Sequence, residues 1–252
     1  MNLQEFFVEN NKVAVAFSGG VDSSYLLYAA KKCGADVRAY YVKSAFQPLF
    51  EYEDAMKLVS DLDAMGLHVD VEVIHVDVLE NDTVTANPSN RCYFCKQVIF
   101  RNIIEAAAHD GYEVLLDGTN ASDDASDRPG MKALEELEVK SPLRLCGLTK
   151  DDIRRLSKEA GLFTWNKPSY ACLATRIPTG QQITAENLSR TEWAEKYMSE
   201  LGFRNFRVRT VGDGAKIQVT SEQFDLVMKY RDDIYEKLSQ KYDSVVLDLR
   251  GR

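Results

Sequence analysis

No apolar run in the 252-residue chain approaches the roughly 18 residues that a membrane-crossing helix needs, so a transmembrane helix is excluded. The first residues, MNLQEFFVENNK, carry Glu5 and Glu9 and offer neither a basic leader nor a small-residue cleavage site, which points to the cytoplasm. Positive charge is short as well. Against 39 Asp and Glu stand 31 Lys and Arg, and the net charge of -8 disfavours a general nucleic-acid binder. Cysteine is too sparse for a disulfide scaffold. Five in this length, an odd number in a reducing compartment, suit packing, metal binding or catalysis. What is present is ordinary for a folded globular protein: 45% hydrophobic and 28% charged residues, with length for one large domain or two modest ones.

Apolar strand-like runs alternate with amphipathic helical stretches through the first two-thirds. Strands are expected at Val13 to Phe17, Asp36 to Val42, Val69 to Val76 and Glu113 to Leu116. Helices are expected at Ser23 to Lys32, Glu51 to Met65, Arg91 to Ala108 and Asp151 to Ala160. That β-α-β rhythm predicts an α/β fold, a parallel sheet with helices on both faces. Thr149 as N-cap, Asp152 three positions on and Gly161 beyond the end mark both termini of the last helix. After Trp165 the pattern changes. The stretch NKPSYACLATRIPTGQQIT separates residues 1–165 from a smaller α+β domain, 166–252, made of a helix (Ala185 to Leu201), strands FRVRTV and AKIQVT around a Gly-Asp-Gly turn, a second helix capped by Thr220 and Gln223, and a final strand SVVLDL.

The strongest local signal is a buried strand, then Ser18-Gly19-Gly20-Val21-Asp22-Ser23, then a helix. Two glycines let the backbone wrap closely around an anion, and the helix start supplies unpaired N–H groups and a positive dipole end. The Ser18 and Ser23 hydroxyls add donors, and the Asp22 carboxylate suits pinning the loop or holding a magnesium ion that bridges phosphates. The loop has no Gly-Lys-Ser/Thr ending, which excludes a Walker A loop, and it is not the dinucleotide Gly-x-Gly-x-x-Gly. It matches the S-G-G-x-D-S signature of PP-loop ATP pyrophosphatases. Asp117-Gly118-Thr119-Asn120 follows a strand end, where open α/β sheets bind ligands, so Gly118 and Asp123 are candidates for approach to ATP or its magnesium.

Arg91-Cys92-Tyr93-Phe94-Cys95-Lys96 places two thiols three residues apart near a helix start, where the dipole favours thiolate. Cys172 lies in the Pro/Gly-marked segment. Three thiols without an obvious fourth ligand suit a [4Fe-4S] centre with one open iron better than structural zinc; a lone C-x-x-C pair is also the mark of a zinc half-site or redox pair. Cys33 and Cys146 look like small buried hydrophobes.

Taken in order, SGGVDS, NPSNRCYFCK, LLDGTNASDDASDRPGMKAL with its SPL continuation, and NKPSYACLATRIPTGQQIT resemble the LarE-type sulfur transferases of the PP-loop group over nearly the whole chain. The resemblance implies a Rossmann-like, adenine nucleotide alpha hydrolase-like domain. It implies an enzyme that adenylates a carboxylate of pyridinium-3,5-biscarboxylic acid mononucleotide with ATP and Mg2+. The adenylate becomes a thiocarboxylate on the way to the nickel-pincer nucleotide cofactor. It further implies Cys92, Cys95 and Cys172 as ligands of a [4Fe-4S] cluster that carries the sulfur. In family members without the C-x-x-C pair one cysteine sacrifices its own sulfur, which makes Cys172 the catalytic nucleophile of the fallback reading. The partners implied are the small mononucleotide, an external sulfide source and further copies in a homo-oligomer, with no membrane and no stable nucleic acid.

Arg128 and Arg176 are candidates to meet developing charge on phosphate or carboxylate. Arg207 and Arg209 alternate with Val208 on one strand face and suit the substrate phosphate, with Glu195 orienting one of them. The competing readings are a tRNA thiolase of the same superfamily, an ammonia-using ligase with the loop but no need of the thiols, and a nucleotide-binding sensor that does not turn ATP over. The net charge of -8 and the lack of a long basic stretch weigh against the first.

Overall fold

The run Lys12-Val-Ala-Val-Ala16 has its three central residues buried, as a strand covered on both faces requires. In the computed structural model, which describes residues 1–123 and 129–252, it is β1 (Lys12–Ala16), one of two strands paired on both edges of a four-stranded parallel sheet. Along the chain, α1 (Leu3–Glu9) precedes it, and α2 (Val21–Lys32), β2 (Asp36–Lys43), α3 (Leu49–Ala64) and β3 (Asp70–His75) follow. Next come α4 (Asp82–Thr85), α5 (Arg91–His109), β4 (Leu115–Leu116), α6 (Pro129–Glu136), α7 (Pro142–Leu145) and α8 (Lys150–Glu159). β1 pairs with β2 from Lys12↔Asp36 to Ala16↔Tyr40 and with β4 at Ala14↔Leu115 and Val15↔Leu116. The α/β parallel-sheet class is therefore the observed one.

The chain divides into two compact units: Met1–Val78 with Asn90–Lys167, and Leu79–Ser89 with Pro168–Arg252. In the first, Val13, Val15 and Ala39 of the sheet pack with Leu26 and Leu27 of α2, Leu58 and Leu62 of α3 and Ile153 of α8, all fully buried. Each buried Val, Leu or Ile among them contributes roughly 1.5–3 kcal/mol on leaving water. α8 starts where its cap predicts: Thr149 Oγ1 accepts from Asp152 N at 3.2 Å, and Asp152 Oδ2 accepts from Thr149 N at 3.1 Å.

The second unit is discontinuous, which a single break near residue 165 does not contain. Leu79–Ser89 joins it because Asn87, at φ 54°, donates from Nδ2 to Pro178 O at 2.8 Å and accepts at its carbonyl from Gly180 N, while Thr85 O accepts from Ile183 N. The unit contains α9 (Ala185–Glu200), β5 (Arg207–Val211), β6 (Gly214–Gln218), α10 (Phe224–Lys229), α11 (Arg231–Leu238) and β7 (Val245–Leu247). β5 and β6 form an antiparallel hairpin and β7 adds in parallel to β6. Gly212 takes φ 57° in the two-residue turn, a conformation that favours glycine. Val208, Ala215 and Ile217 pack under Ala194, Met198, Val227 and Ile234. The expected Thr220–Gln223 cap takes a different form: Gln223 binds the main chain of Arg204 from both ends of its amide and donates to Thr220 Oγ1, and the helix starts at Phe224.

Candidate functional site

In the sheet order β3-β2-β1-β4, successive connections leave β1 in opposite directions, so the gap between the ends of β1 and β4 is a topological switch point, where such sheets bind ligands. Both expected segments lie there. Ser18-Gly19-Gly20 follows β1, and Asp117-Gly118-Thr119 follows β4. A cavity of about 500 Å³ is lined by Ser18, Gly20, Asp22, Ser23 and Gly118, with Cys92 among the residues on its α5 side.

The loop holds its shape through its own hydroxyls. Ser23 Oγ lies 3.0 Å from Ser18 Oγ, accepts from Ser18 N at 3.2 Å and donates to Gly20 O at 3.3 Å. Gly20 caps α2 without any side-chain bond, which leaves the first-turn N–H groups for an incoming anion. Gly19, at φ 71°, lies so close to α3 that an added Cβ would sit 2.8 Å from Ala55 Cβ. A Cβ on Gly118 would come 2.8 Å from Ser23 N, so the β4 loop presses directly on the helix start. Glycines at both approaches, an uncapped helix N-terminus and hydroxyl donors fit the phosphates of a nucleotide. Asp22 is the charged group of the loop. Burial raises its pKa, Lys150 at 2.5 Å pulls it down, and Asp123 pushes it up again. Two carboxylates on one side of a phosphate loop suit a magnesium ion.

Cys92 and Cys95 lie at the start of α5, three residues and so about one helical turn apart as expected. Cys92 is exposed and shares the cavity wall with Lys96 one turn on, and Cys95 is half-buried. Cys33 and Cys146 pack against the first unit's core, and burial raises both thiols above the usual range. Among the described residues, no group of three or more His, Cys, Asp or Glu side chains is placed to hold a metal ion. Arg128 lies outside the described residues.

Cys172, Arg176, Glu195 and Arg207 come together in the second unit. Arg176, a candidate to meet charge on the substrate, and Glu195, expected to orient Arg207 or Arg209, pair with each other, their side chains 0% and 5% exposed. Arg176 donates from Nε to Glu195 Oε1 at 2.8 Å, from Nη2 to Glu195 Oε2 at 3.0 Å, and from Nη1 to Ala171 O at 2.8 Å and Cys172 O at 3.3 Å. Arg207 donates to Ser169 O and Phe206 O, and Arg209 to Thr175 O and Gln218. Three arginines thus grip a loop whose carbonyls have no sheet partner. Tyr170 was not singled out by the sequence. Its ring centre lies 4.5 and 5.0 Å from the guanidinium carbons of Arg176 and Arg207, and its hydroxyl donates to Glu195 Oε2. Burial, and then the like charge of Arg176, lower Arg207 to about 10. A buried cation whose donors meet only carbonyls is suited to an added anion.

Residues 11–136 match the family model described as the tRNA methyl transferase HUP domain. The chain is 33% identical over 243 residues to the pyridinium-3,5-bisthiocarboxylic acid mononucleotide synthase of Lactiplantibacillus plantarum, covering 95% of this chain and 86% of that protein. The chain belongs to the LarE-type family of sulfur transferases. Another relative is an uncharacterized protein of Synechocystis, 34% identical across 99% of this chain and 93% of its own length. Within the wider PP-loop group, the tRNA-specific 2-thiouridylase MnmA of Thermotoga petrophila is 27% identical over 193 residues, about half its length (54%). Covering 95% of this chain, the match to the Lactiplantibacillus plantarum synthase reaches into the second unit.

Proposed function

We propose that this LarE-type protein activates a carboxylate of pyridinium-3,5-biscarboxylic acid mononucleotide with ATP and converts it to a thiocarboxylate, a step toward a nickel-pincer nucleotide. A carboxylate oxygen attacks the α-phosphorus, the bond to the β-phosphate bridge breaks and pyrophosphate leaves. A sulfur nucleophile then attacks the acyl carbon and AMP departs with the former carboxylate oxygen. The observation that carries this reading is the shared cavity: Cys92 lines the same wall system as Ser18, Gly20, Ser23 and Gly118. In this reading Ser18, Gly19, Gly20, Ser23 and Gly118 hold the triphosphate, Asp22 holds its magnesium, and Arg207 and Arg209 receive the substrate phosphate.

Cys92, Cys95 and Cys172 are the ligands proposed for a [4Fe-4S] cluster, which supplies the transferred sulfide when bound. The thiol pair on one turn of α5 supports it. A second reading rests on Cys172 alone, whose loop Arg176 holds through the carbonyls of Ala171 and Cys172. In it the Cys172 thiolate attacks the acyl adenylate, loss of the Cα proton breaks the Cβ–S bond, and the thiocarboxylate leaves dehydroalanine behind.

The deciding experiment measures iron, acid-labile sulfide and pyrophosphate release on protein purified without oxygen, comparing wild type with Cys92→Ala, Cys95→Ala and Cys172→Ala. About four irons per chain, lost in each variant, support the cluster. Iron-free protein that turns over once and loses the Cys172 sulfur supports the sacrificial route. Pyrophosphate release stimulated by tRNA and not by the mononucleotide overturns the reading in favour of a tRNA thiolase, and nucleotide retained without pyrophosphate release overturns it in favour of a sensor.

A further inference from the structure

One cation of the phosphate site lies outside the S-G-G-x-D-S motif. Lys150 is the first residue of α8, where the positive end of the helix dipole ordinarily disfavours an ammonium group. Its main-chain N–H donates to Ser122 Oγ at 3.0 Å, which anchors it to the loop after β4. Its Nζ reaches Asp22 Oδ2 at 2.5 Å, and Asn120 Nδ2 donates to Asp22 Oδ1 at 3.4 Å. Both oxygens of the motif carboxylate therefore have partners, and one of those partners is a full positive charge at the edge of the phosphate loop.

Stability does not account for this pair. The side chains of Lys150 and Asp22 are 29% and 22% exposed, and ion pairs within reach of water add little to folding. Charge balance does account for it. Asp22 and Asp123 repel one another, and Lys150 offsets that repulsion. A triphosphate would bring several further negative charges to the same place. Lysine carries its charge on a long, flexible stem, so it can exchange one anion for another without movement of the backbone.

Building on the nucleotide reading above, we propose that Lys150 is a phosphate-binding residue: its ammonium is paired with Asp22 in this structure, turns to a phosphate oxygen when ATP binds, and so frees the Asp22 carboxylate for magnesium. The lysine and the metal ion then compete for one carboxylate, and the triphosphate resolves the competition by taking the lysine.

The test is calorimetric binding of α,β-methylene-ATP, which cannot be split at the relevant bond, and of adenosine to wild type, Lys150→Met and Lys150→Arg, in EDTA and across a magnesium titration. Loss of a charge-assisted contact weakens triphosphate binding by about 10- to 100-fold in Lys150→Met. Adenosine affinity stays within about twofold, since that ligand has no phosphate, and Lys150→Arg recovers most of the triphosphate affinity because it keeps the charge. In Lys150→Met the magnesium concentration at half-saturation of Asp22 falls, because the competitor is gone. Equal triphosphate affinity in wild type and Lys150→Met overturns the inference and leaves the nucleotide reading standing. A parallel loss of adenosine binding also overturns it, since that marks a structural role. Failure of wild type to bind the triphosphate overturns both.

Discussion

Arg176 and Glu195 form a two-point fork, Nε to Oε1 at 2.8 Å and Nη2 to Oε2 at 3.0 Å, and the same guanidinium holds the carbonyls of Ala171 and Cys172. Glu195 also accepts from Val208 N at 2.9 Å, so α9, β5 and the cysteine loop meet at one ion pair. Removing one partner of such a buried pair leaves the other uncompensated, at a cost of about 3–5 kcal/mol. Arg176→Met should therefore lower the urea midpoint of the second unit strongly, and Arg176→Lys should rescue little of it, because an ammonium cannot form the fork. A midpoint unchanged in Arg176→Met would show that the loop is held by other means.

This relationship also shows where sequence reasoning stops. The parallel sheet, the phosphate loop and α8 with its capping box are legible because their signals are local: alternating apolar runs, a strand-loop-helix motif, and Thr149 with Asp152. Arg176, Glu195 and Arg207 are recognisable as charged residues near Cys172, but burial is a tertiary property, and only the structure shows that all three are buried. Lys150 is invisible for a related reason. Its partner lies 128 positions away, and nothing in TKDDIRRL marks a lysine that reaches another loop. The short helices Leu3–Glu9, Asp82–Thr85, Pro129–Glu136 and Pro142–Leu145 escape because most are shorter than two turns and carry little periodicity.

Asp22 makes the pH dependence of stability informative. Burial is the largest influence on it and raises its pKa above 3.8, with Lys150 offsetting only part. The folded state therefore holds this proton more tightly than the unfolded state, so ionisation of Asp22 lowers stability as pH rises from 3.8 through the folded value. Asp22→Asn removes that loss. The stability of Asp22→Asn relative to wild type should rise between acid and neutral pH in chemical denaturation, while substrate-dependent pyrophosphate release disappears. A relative stability that falls over the same window would contradict the assignment.

Asn87 ties Leu79–Ser89 into the second unit through two independent features, its φ of 54° and the bonds from Nδ2 to Ile177 O and Pro178 O at 3.3 and 2.8 Å. Asn87→Gly keeps the backbone comfortable and loses the bonds, whereas Asn87→Ala loses the bonds and adds strain. Both variants should be less stable than wild type, with Ala lower than Gly by about 1 kcal/mol. Equilibrium urea denaturation gives the order directly, and the reverse order would remove the backbone from the explanation.

Gly118 is the position where the two halves of the phosphate site touch. An added Cβ would lie 2.8 Å from Ser23 N, 3.1 Å from Ser23 Cα and 3.2 Å from Asp22 C, all of them main-chain atoms that cannot rotate away. Relief therefore requires the β4 loop to withdraw from the start of α2, and that withdrawal opens the cradle in which phosphate oxygens would be held. Gly118→Ala should weaken triphosphate binding by at least about tenfold, with adenosine binding less affected. Unfolding should be only modestly easier, because the hydrophobic core beneath the loop is untouched. Gly20→Ala is the matched comparison: its Cβ would meet only Ser18 Oγ, at 3.4 Å, a side-chain atom that can turn aside. A loss at Gly118 that clearly exceeds the loss at Gly20 would locate the effect in loop-to-helix contact. Equal losses would place it in the flexibility of the loop itself.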